Sequence, residues 1–256
     1  MSDNTGMENM KDDLKNNACN KQNIDRSDIK GDYSNRNYDI FGRNYENFFL
    51  ELSGRDPEDI ALKSGSRILK DKKLFLSFFE QDLLVDLNQK AVFILPSGLR
   101  ATQTECLKKL KDEEILAEYP QMSDKFSASI ILHYLLNADG APLSGQWINY
   151  RELPGGMFYA DTIPGVLKPL SQKYETSGNE FVNKIIDFGG QKSNLFKFAG
   201  VLHPFQKFPV FFVLEEKDQE FDSGIRALFD KSASHYLKSD IIKTLLVYTV
   251  KKLMQP

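Results

Sequence analysis

The chain has 256 residues, 41% of them hydrophobic and 27% charged, the make-up of one folded domain with an appendage. Thirty-three basic against thirty-six acidic residues leave a net charge of −3, without the basic surplus that a nucleic-acid partner calls for. Two cysteines, Cys19 and Cys106, exclude a disulfide framework and lack the close ligand neighbours of a zinc or iron–sulfur site; with no apolar run of ~18 residues and no signal-peptide core, the expected setting is the cytoplasm, with neither membrane nor metal involved.

Residues 1–42 are polar and Asn-rich, and their few apolar side chains (Leu14, Ile24, Ile29) follow no helical or strand period. Such a stretch buries too little surface to offset an ordering cost of ~1–2 kcal/mol per residue, so it reads as a disordered tail, with a docking arm as the alternative. The texture changes at Arg43. Tyr45, Phe48, Phe49 and Leu52 lie three and four apart, one helical stripe, and Gly54 supplies the stop. A second helix follows, with Asp56 as cap, Pro57 in the first turn, Glu58 and Asp59 suited to the positive end of the dipole, and Gly65 past the end. Apolar runs at 73–79, 83–87 and 91–95 around a turn at 80–82 predict a small antiparallel meander.

Leu99, Cys106, Leu107, Leu110 and Ile115 among Lys and Glu suggest one amphipathic helix within 97–122. Ser123 is placed to cap a helix over 124–137 that is apolar nearly all round, which makes it the expected centre of the core. Turn residues then flank a short strand, 146–150, that carries the only tryptophan, Trp147. The stretch 157–174 reads as a helix interrupted at Pro164 and Pro169. A further helix, 179–188, ends at Gly189 and Gly190, strands follow at 195–202 and 208–215, and Ser239 caps a last helix striped by Ile241, Ile242, Leu245, Leu246, Thr249 and Leu253. Strands and helices come in blocks, so the expected class is α+β: over 43–256, a single domain of antiparallel meanders packed on a central apolar helix and a C-terminal helix.

Phosphate-loop, dinucleotide, zinc-protease and nucleophile-elbow signatures are absent. Of three histidines, His133 reads as a core imidazole and His203 as a loop residue at a strand exit. His235 is the candidate, because Leu228-Phe-Asp-Lys-Ser-Ala-Ser-His-Tyr-Leu237 gathers Asp230, Ser232, Ser234, His235 and Tyr236 just before the last helix, where an anion could sit. Alternatively Asp230, Ser232 and Ser234 merely satisfy the loop backbone. Past position 100 the only arginines are Arg151 and Arg226, and Arg151 stands beside Glu152 in Tyr150-Arg-Glu-Leu-Pro-Gly-Gly156, where Gly155 and Gly156 could let a ligand approach the backbone. A plain ion pair of Arg151 with an acidic neighbour is the other reading. Phe198, Phe205, Phe208, Phe211 and Phe212 read as core, with an apolar ligand pocket as the alternative.

Four segments, His133-Tyr-Leu-Leu-Asn-Ala-Asp-Gly-Ala-Pro-Leu-Ser-Gly145, Tyr150-Arg-Glu-Leu-Pro-Gly-Gly-Met-Phe-Tyr159, Lys168-Pro-Leu170 and Leu228–Leu237, resemble the hallmarks of the family of the domain of unknown function 3786, over roughly residues 43–254. The resemblance implies an uncharacterised protein of the kind found in anaerobic bacteria and methanogenic archaea, some of whose relatives join this domain to a cysteine-rich iron–sulfur module. With two cysteines this chain carries no such module. The resemblance carries over no catalytic residue and leaves the cofactor unknown, and the tail and 97–122 look particular to this chain. Two readings follow. One is an accessory domain that binds a small anionic ligand or a protein partner, linked by the resemblance to metallocofactor or corrinoid enzymes of anaerobic metabolism; its pocket is expected where Arg151, Gly155 and Gly156 meet Ser232, Ser234, His235 and Tyr236. The other is an enzyme with His235 as general acid or base, oriented by Asp230 or Glu152, and Arg151 holding an anionic substrate.

Overall fold

The computed structural model describes residues 44–95 and 124–255, all within one compact unit, Tyr38–Pro256. The expected tail, the expected helix within 97–122 and the expected cap Ser123 lie outside the described residues.

Helix α1, over 44–53, buries Phe49 and Leu52 completely, and the Gly54 N–H closes it on the Leu50 carbonyl. Helix α2 (Pro57–Ser64) begins where Asp56 accepts from the Glu58 N–H at 3.0 Å and ends at Gly65, whose φ of 75° only a residue without Cβ adopts freely. Its last carbonyls are satisfied from distant chain: Lys207 Nζ donates to Leu62 and Lys63, and the Tyr134 hydroxyl donates to Ser64 at 2.6 Å. Strands β1 (Arg67–Leu69), β2 (Lys73–Phe78), β3 (Gln81–Asp86) and β4 (Ala91–Ile94) form the meander in sequential order. Two points correct the sequence reading. β1 is an additional strand, and pairing of Phe78 with Gln81 puts the turn at Phe79 and Glu80, which leaves Asp82 buried inside β3.

Helix α3 (Lys125–Asn137) is capped by Asp124, which accepts from the Phe126 N–H at 3.0 Å. Ten of its thirteen residues are buried, so it occupies the centre as its nearly all-round apolar sequence requires. His133 is half-buried, 4.5 Å from the Phe48 ring. A second sheet has the order β5-β9-β8-β7-β6, all antiparallel, from β5 (Trp147–Asn149), β6 (Gln191–Lys192), β7 (Phe198–Phe205), β8 (Phe208–Glu215) and β9 (Gly224–Asp230). β9 corrects the expectation of a loop through 228–230, and His203 lies within β7 instead of past a strand exit.

Helices α4 (Ile163–Lys173), α5 (Gly178–Asp187) and α6 (Ser239–Leu253) complete the α+β fold. The expected helix from 157 starts later, after two 3₁₀ turns, Gly156–Phe158 and Ala160–Thr162. Pro164 falls in the first turn of α4, where no N–H partner is missed, and the helix continues through Pro169. Ser239 is the first helical residue of α6 and not its cap; Lys238 holds that place. One buried cluster joins both sheets and all six helices, from Phe49 and Ile60 through Leu83, Ile130, Leu167 and Phe181 to Phe229 and Ile242. All five phenylalanines expected in the core are buried, and Phe211 packs on the other face of the second sheet, 5.2 Å from Trp147. Among the described residues no helix is long and apolar enough to cross a membrane, and no three His, Cys, Asp or Glu side chains group as metal ligands.

Candidate functional site

The segments 138–150 and 230–240 are joined at their backbones. Antiparallel pairing sets Trp147 opposite Asp230, and the Lys231 N–H donates to the Gln146 carbonyl at 2.9 Å. At the end of β9 the Asp230 carboxylate, 2% exposed, accepts five hydrogen bonds, from the N–H and hydroxyl of Ser144, the N–H of Gly145, and the N–H and hydroxyl of Ser232. Burial alone would raise its pKa; the donors of Ser232 and Ser144 outweigh that and hold it below the ordinary carboxylate range. Asp230 is therefore a structural anion that fixes the loop before β5.

Beyond Asp230 the chain turns through a 3₁₀ segment, Lys231–His235. His235 Nδ1 lies 2.6 Å from Asp139 Oδ2, and the Asp139 N–H returns to the His235 carbonyl at 3.2 Å. Hydrogen bonds from His235 and the Ala141 N–H keep Asp139 below its usual pKa despite partial burial, which opposes them. An ionised Asp139 can only accept, so Nδ1 carries the proton. Neither carboxylate expected to orient His235 does so. Asp230 is spent on Ser144, Gly145 and Ser232, and Glu152 accepts from the Asn149 N–H and side-chain amide at 2.7 and 3.0 Å, closing the short turn Tyr150–Glu152. Tyr236 is fully buried, stacked 5.7 Å from Tyr134, with its hydroxyl given to the Ala141 carbonyl.

The segment 150–159 reaches the same neighbourhood. The Tyr150 hydroxyl donates to the Ser239 carbonyl at 2.5 Å, tying this turn to the start of α6. Gly155 has φ 74°, and a Cβ there would meet Ser239 Oγ at 3.0 Å. At Gly156 a Cβ would lie 2.0 Å from the Tyr150 carbonyl oxygen, so this glycine serves close backbone approach within the protein. The turn holds Phe158 and Met157 outward, 87% and 69% exposed. Beside it is a depression of about 380 Å³ bordered by Pro154, Phe158, Tyr159, Ser234, Leu237 and Lys238.

The two stretches thus meet, but not through the side chains singled out in the sequence. Ser234 borders the depression; Arg151 and His235 do not. Arg151 is exposed and ion-pairs with Asp161 at 2.5 Å, while His235 and Asp139 are about half-exposed, at 50% and 52%. Sequence reasoning missed Asp139, Ser144 and Tyr150. Asp139-Gly140 carried the signature of a turn, and nothing local marks a turn carboxylate whose partner is 96 residues away. Among known families, the one described as Domain of unknown function (DUF3786) matches residues 98–252, a span that contains all four hallmark segments and leaves α1, α2 and the first sheet outside. No curated protein and no solved structure matches the chain.

Proposed function

The chain belongs to the DUF3786 family, and on that premise we propose that it is a partner-binding accessory domain of the cytoplasm whose docking element is the turn 154–159. The observation that carries this reading is the pairing of large exposed apolar side chains with a rigid support. Met157 and Phe158 stand in water on a turn pinned by the Tyr150–Ser239 hydrogen bond and by the close backbone packing at Gly156. Aromatic and methionine side chains held out on a rigid frame, next to a shallow depression, have the composition of a protein-interface hot spot. The charges around it are mixed, with Arg151 paired to Asp161 and Lys238 beside Asp240, so the partner is a protein surface with an apolar contact and not a polyanion. The family resemblance supplies the class of partner, a metallocofactor or corrinoid enzyme of anaerobic metabolism.

A second reading rests on the His235–Asp139 pair. A carboxylate that holds Nδ1 of an imidazole is an arrangement that general bases use. Half-exposure favours a structural latch instead.

The test compares retention of partner enzymes from lysate of the parent organism by the full chain, by the double variant Met157→Ser/Phe158→Ser and by the control Leu195→Ser, which alters an exposed apolar residue elsewhere. A protein retained by the parent and the control, lost with the double variant, and bound again from purified components supports the proposal. Equal retention by all three overturns it.

A further inference from the structure

A cleft away from the hallmark segments lies where the first sheet and α2 meet β7. It encloses about 570 Å³, within the ~300–1,000 Å³ of small-molecule sites. Its floor is apolar: Leu76, Phe79, Tyr134 and Phe205 are each no more than 7% exposed, and Tyr134 stacks on Phe205 with centroids 4.0 Å apart. The walls are fixed to each other, because the Phe79 N–H donates to the Pro204 carbonyl at 2.8 Å across the junction.

Polar groups border the same cleft. From β1, Arg67 sits opposite Phe75 in register with its guanidinium 5.6 Å from that ring, and among the described residues it forms no ion pair with a carboxylate. From β7 comes His203, half-buried in the strand, where burial lowers its pKa and leaves a neutral imidazole with one donor and one acceptor. Gln191 and Gln206 add amide donors at the rim. Glu80 and Asp82 also border the cleft, with Ser77 Oγ donating to Asp82 Oδ1 at 2.7 Å. A half-buried fork-shaped cation over an aromatic ring, with no carboxylate paired to it among the described residues, suits one carboxylate or phosphoryl group. The acidic side chains of Glu80 and Asp82 on the same border disfavour a second.

We propose that this cleft binds a small organic molecule that carries a single anionic group, a carboxylate or a phosphate monoester, on a compact apolar body, with the anionic group on Arg67 and the body along the apolar lining. The site stands apart from the docking turn; its lining from Ser64 to Asp82 lies outside the family match and its lining from Tyr134 to Gln206 lies within it.

Benzoate and phenyl phosphate are the probes, titrated calorimetrically into the full chain, with inorganic phosphate and ATP as controls. Saturable binding of benzoate or phenyl phosphate is expected, whichever is the tighter naming the anion class, together with weaker binding of inorganic phosphate, which lacks the body, and of ATP, whose further charges face Glu80 and Asp82. Arg67→Gln is expected to weaken the better probe by about tenfold or more, the loss of one charge-assisted contact; Arg67→Lys, which keeps the charge without the fork, restores part of it. Amide shifts in a probe titration are expected at Arg67, Gln191, His203 and Gln206, a readout that does not depend on either variant folding. Probe affinity is expected to be unchanged by Met157→Ser/Phe158→Ser, which separates this proposal from the docking one. Absence of saturation with both probes, ATP binding as tightly as either, affinity unchanged in Arg67→Gln, or shifts confined to other faces would each overturn the assignment.

Discussion

Ser144 gives both its backbone N–H and its hydroxyl to one oxygen of Asp230, 86 residues further along, at 2.9 and 2.8 Å. The other oxygen accepts from Gly145 at 2.7 Å, and Ser232 adds two donors at 2.9 and 2.6 Å. A buried anion with five donors aimed at it cannot lose its charge quietly. Asp230→Asn keeps the shape but sets an amide NH₂ against the Gly145 N–H, and a donor facing a donor in a buried place costs far more than one lost bond. The expected destabilisation is about 2–4 kcal/mol, read as a lowered midpoint in urea unfolding. A loss under about 1 kcal/mol would mean water reaches the carboxylate and the clamp is weaker than its geometry implies.

Acid is expected to destabilise the protein in two steps. His133 and His203 have pKa values lowered by burial, in the case of His133 against the partial offset of nearby Asp240 and Glu51, with Lys238 adding to the lowering. Between the unfolded value near ~6.5 and the lower folded values, the unfolded chain binds protons that the native state refuses, so stability falls as pH drops through this window and then levels. Asp230 and Asp139 behave in the opposite sense of charge: their folded pKa values are depressed, so their contribution is present above ~3.9 and lost as pH falls through the folded values. Urea midpoints taken from about pH 8 down to about pH 3 should show both slopes, and His133→Asn with His203→Asn should flatten the first alone. A profile already flat between ~7 and ~5 in the parent chain would contradict the burial of the two imidazoles.

Local signals were legible in the sequence almost residue by residue; pairings across the chain were not. Helix α2 could be read from Asp56, Pro57 and Gly65 because cap, first turn and stop are each set by neighbours within four positions. The stripe of α6, from Ile241 to Leu253, was equally plain for the same reason. β9 escaped because half of its evidence is its place between β5 and β8, and its end, Leu228-Phe-Asp230, runs straight into a cluster of hydroxyls that reads as loop. At the site, the meeting of segments 150–159 and 230–240 was anticipated, yet the residues that join them are Tyr150 and Ser239, whose contact is a hydroxyl on a backbone carbonyl. Side-chain type predicts chemistry at a position. It does not predict which carboxylate a distant imidazole will meet: Asp230 and Glu152 were the expected partners, and His235 found Asp139.

Two glycines of the hallmark segments should respond differently to the same change. Gly156→Ala puts a methyl 2.0 Å from a backbone oxygen that cannot move without unmaking the turn at Tyr150, so a loss of about 3 kcal/mol or more is expected. Gly145→Ala meets nothing within 4 Å, and only its φ of 69° resists, at a cost of about 1–2 kcal/mol. Thermal melts of the two variants side by side check the order. Equal losses would show that the turn at 150–156 can relax, and with it the rigid support of Met157 and Phe158.

Arg151 offers the sharpest separation between stability and binding. Its guanidinium pairs with Asp161 at 2.5 Å, but both side chains are largely in water, at 57% and 88% exposure, and such pairs contribute little. Arg151→Ala is expected to shift the urea-unfolding free energy by no more than about 0.5 kcal/mol. Because Arg151 stands on the turn that leads into Met157 and Phe158, the same variant is expected to weaken partner retention while leaving benzoate or phenyl phosphate binding at the Arg67 cleft untouched. A stability loss above about 1 kcal/mol would assign the guanidinium a structural task instead, and unchanged retention would confine the docking contact to the apolar side chains.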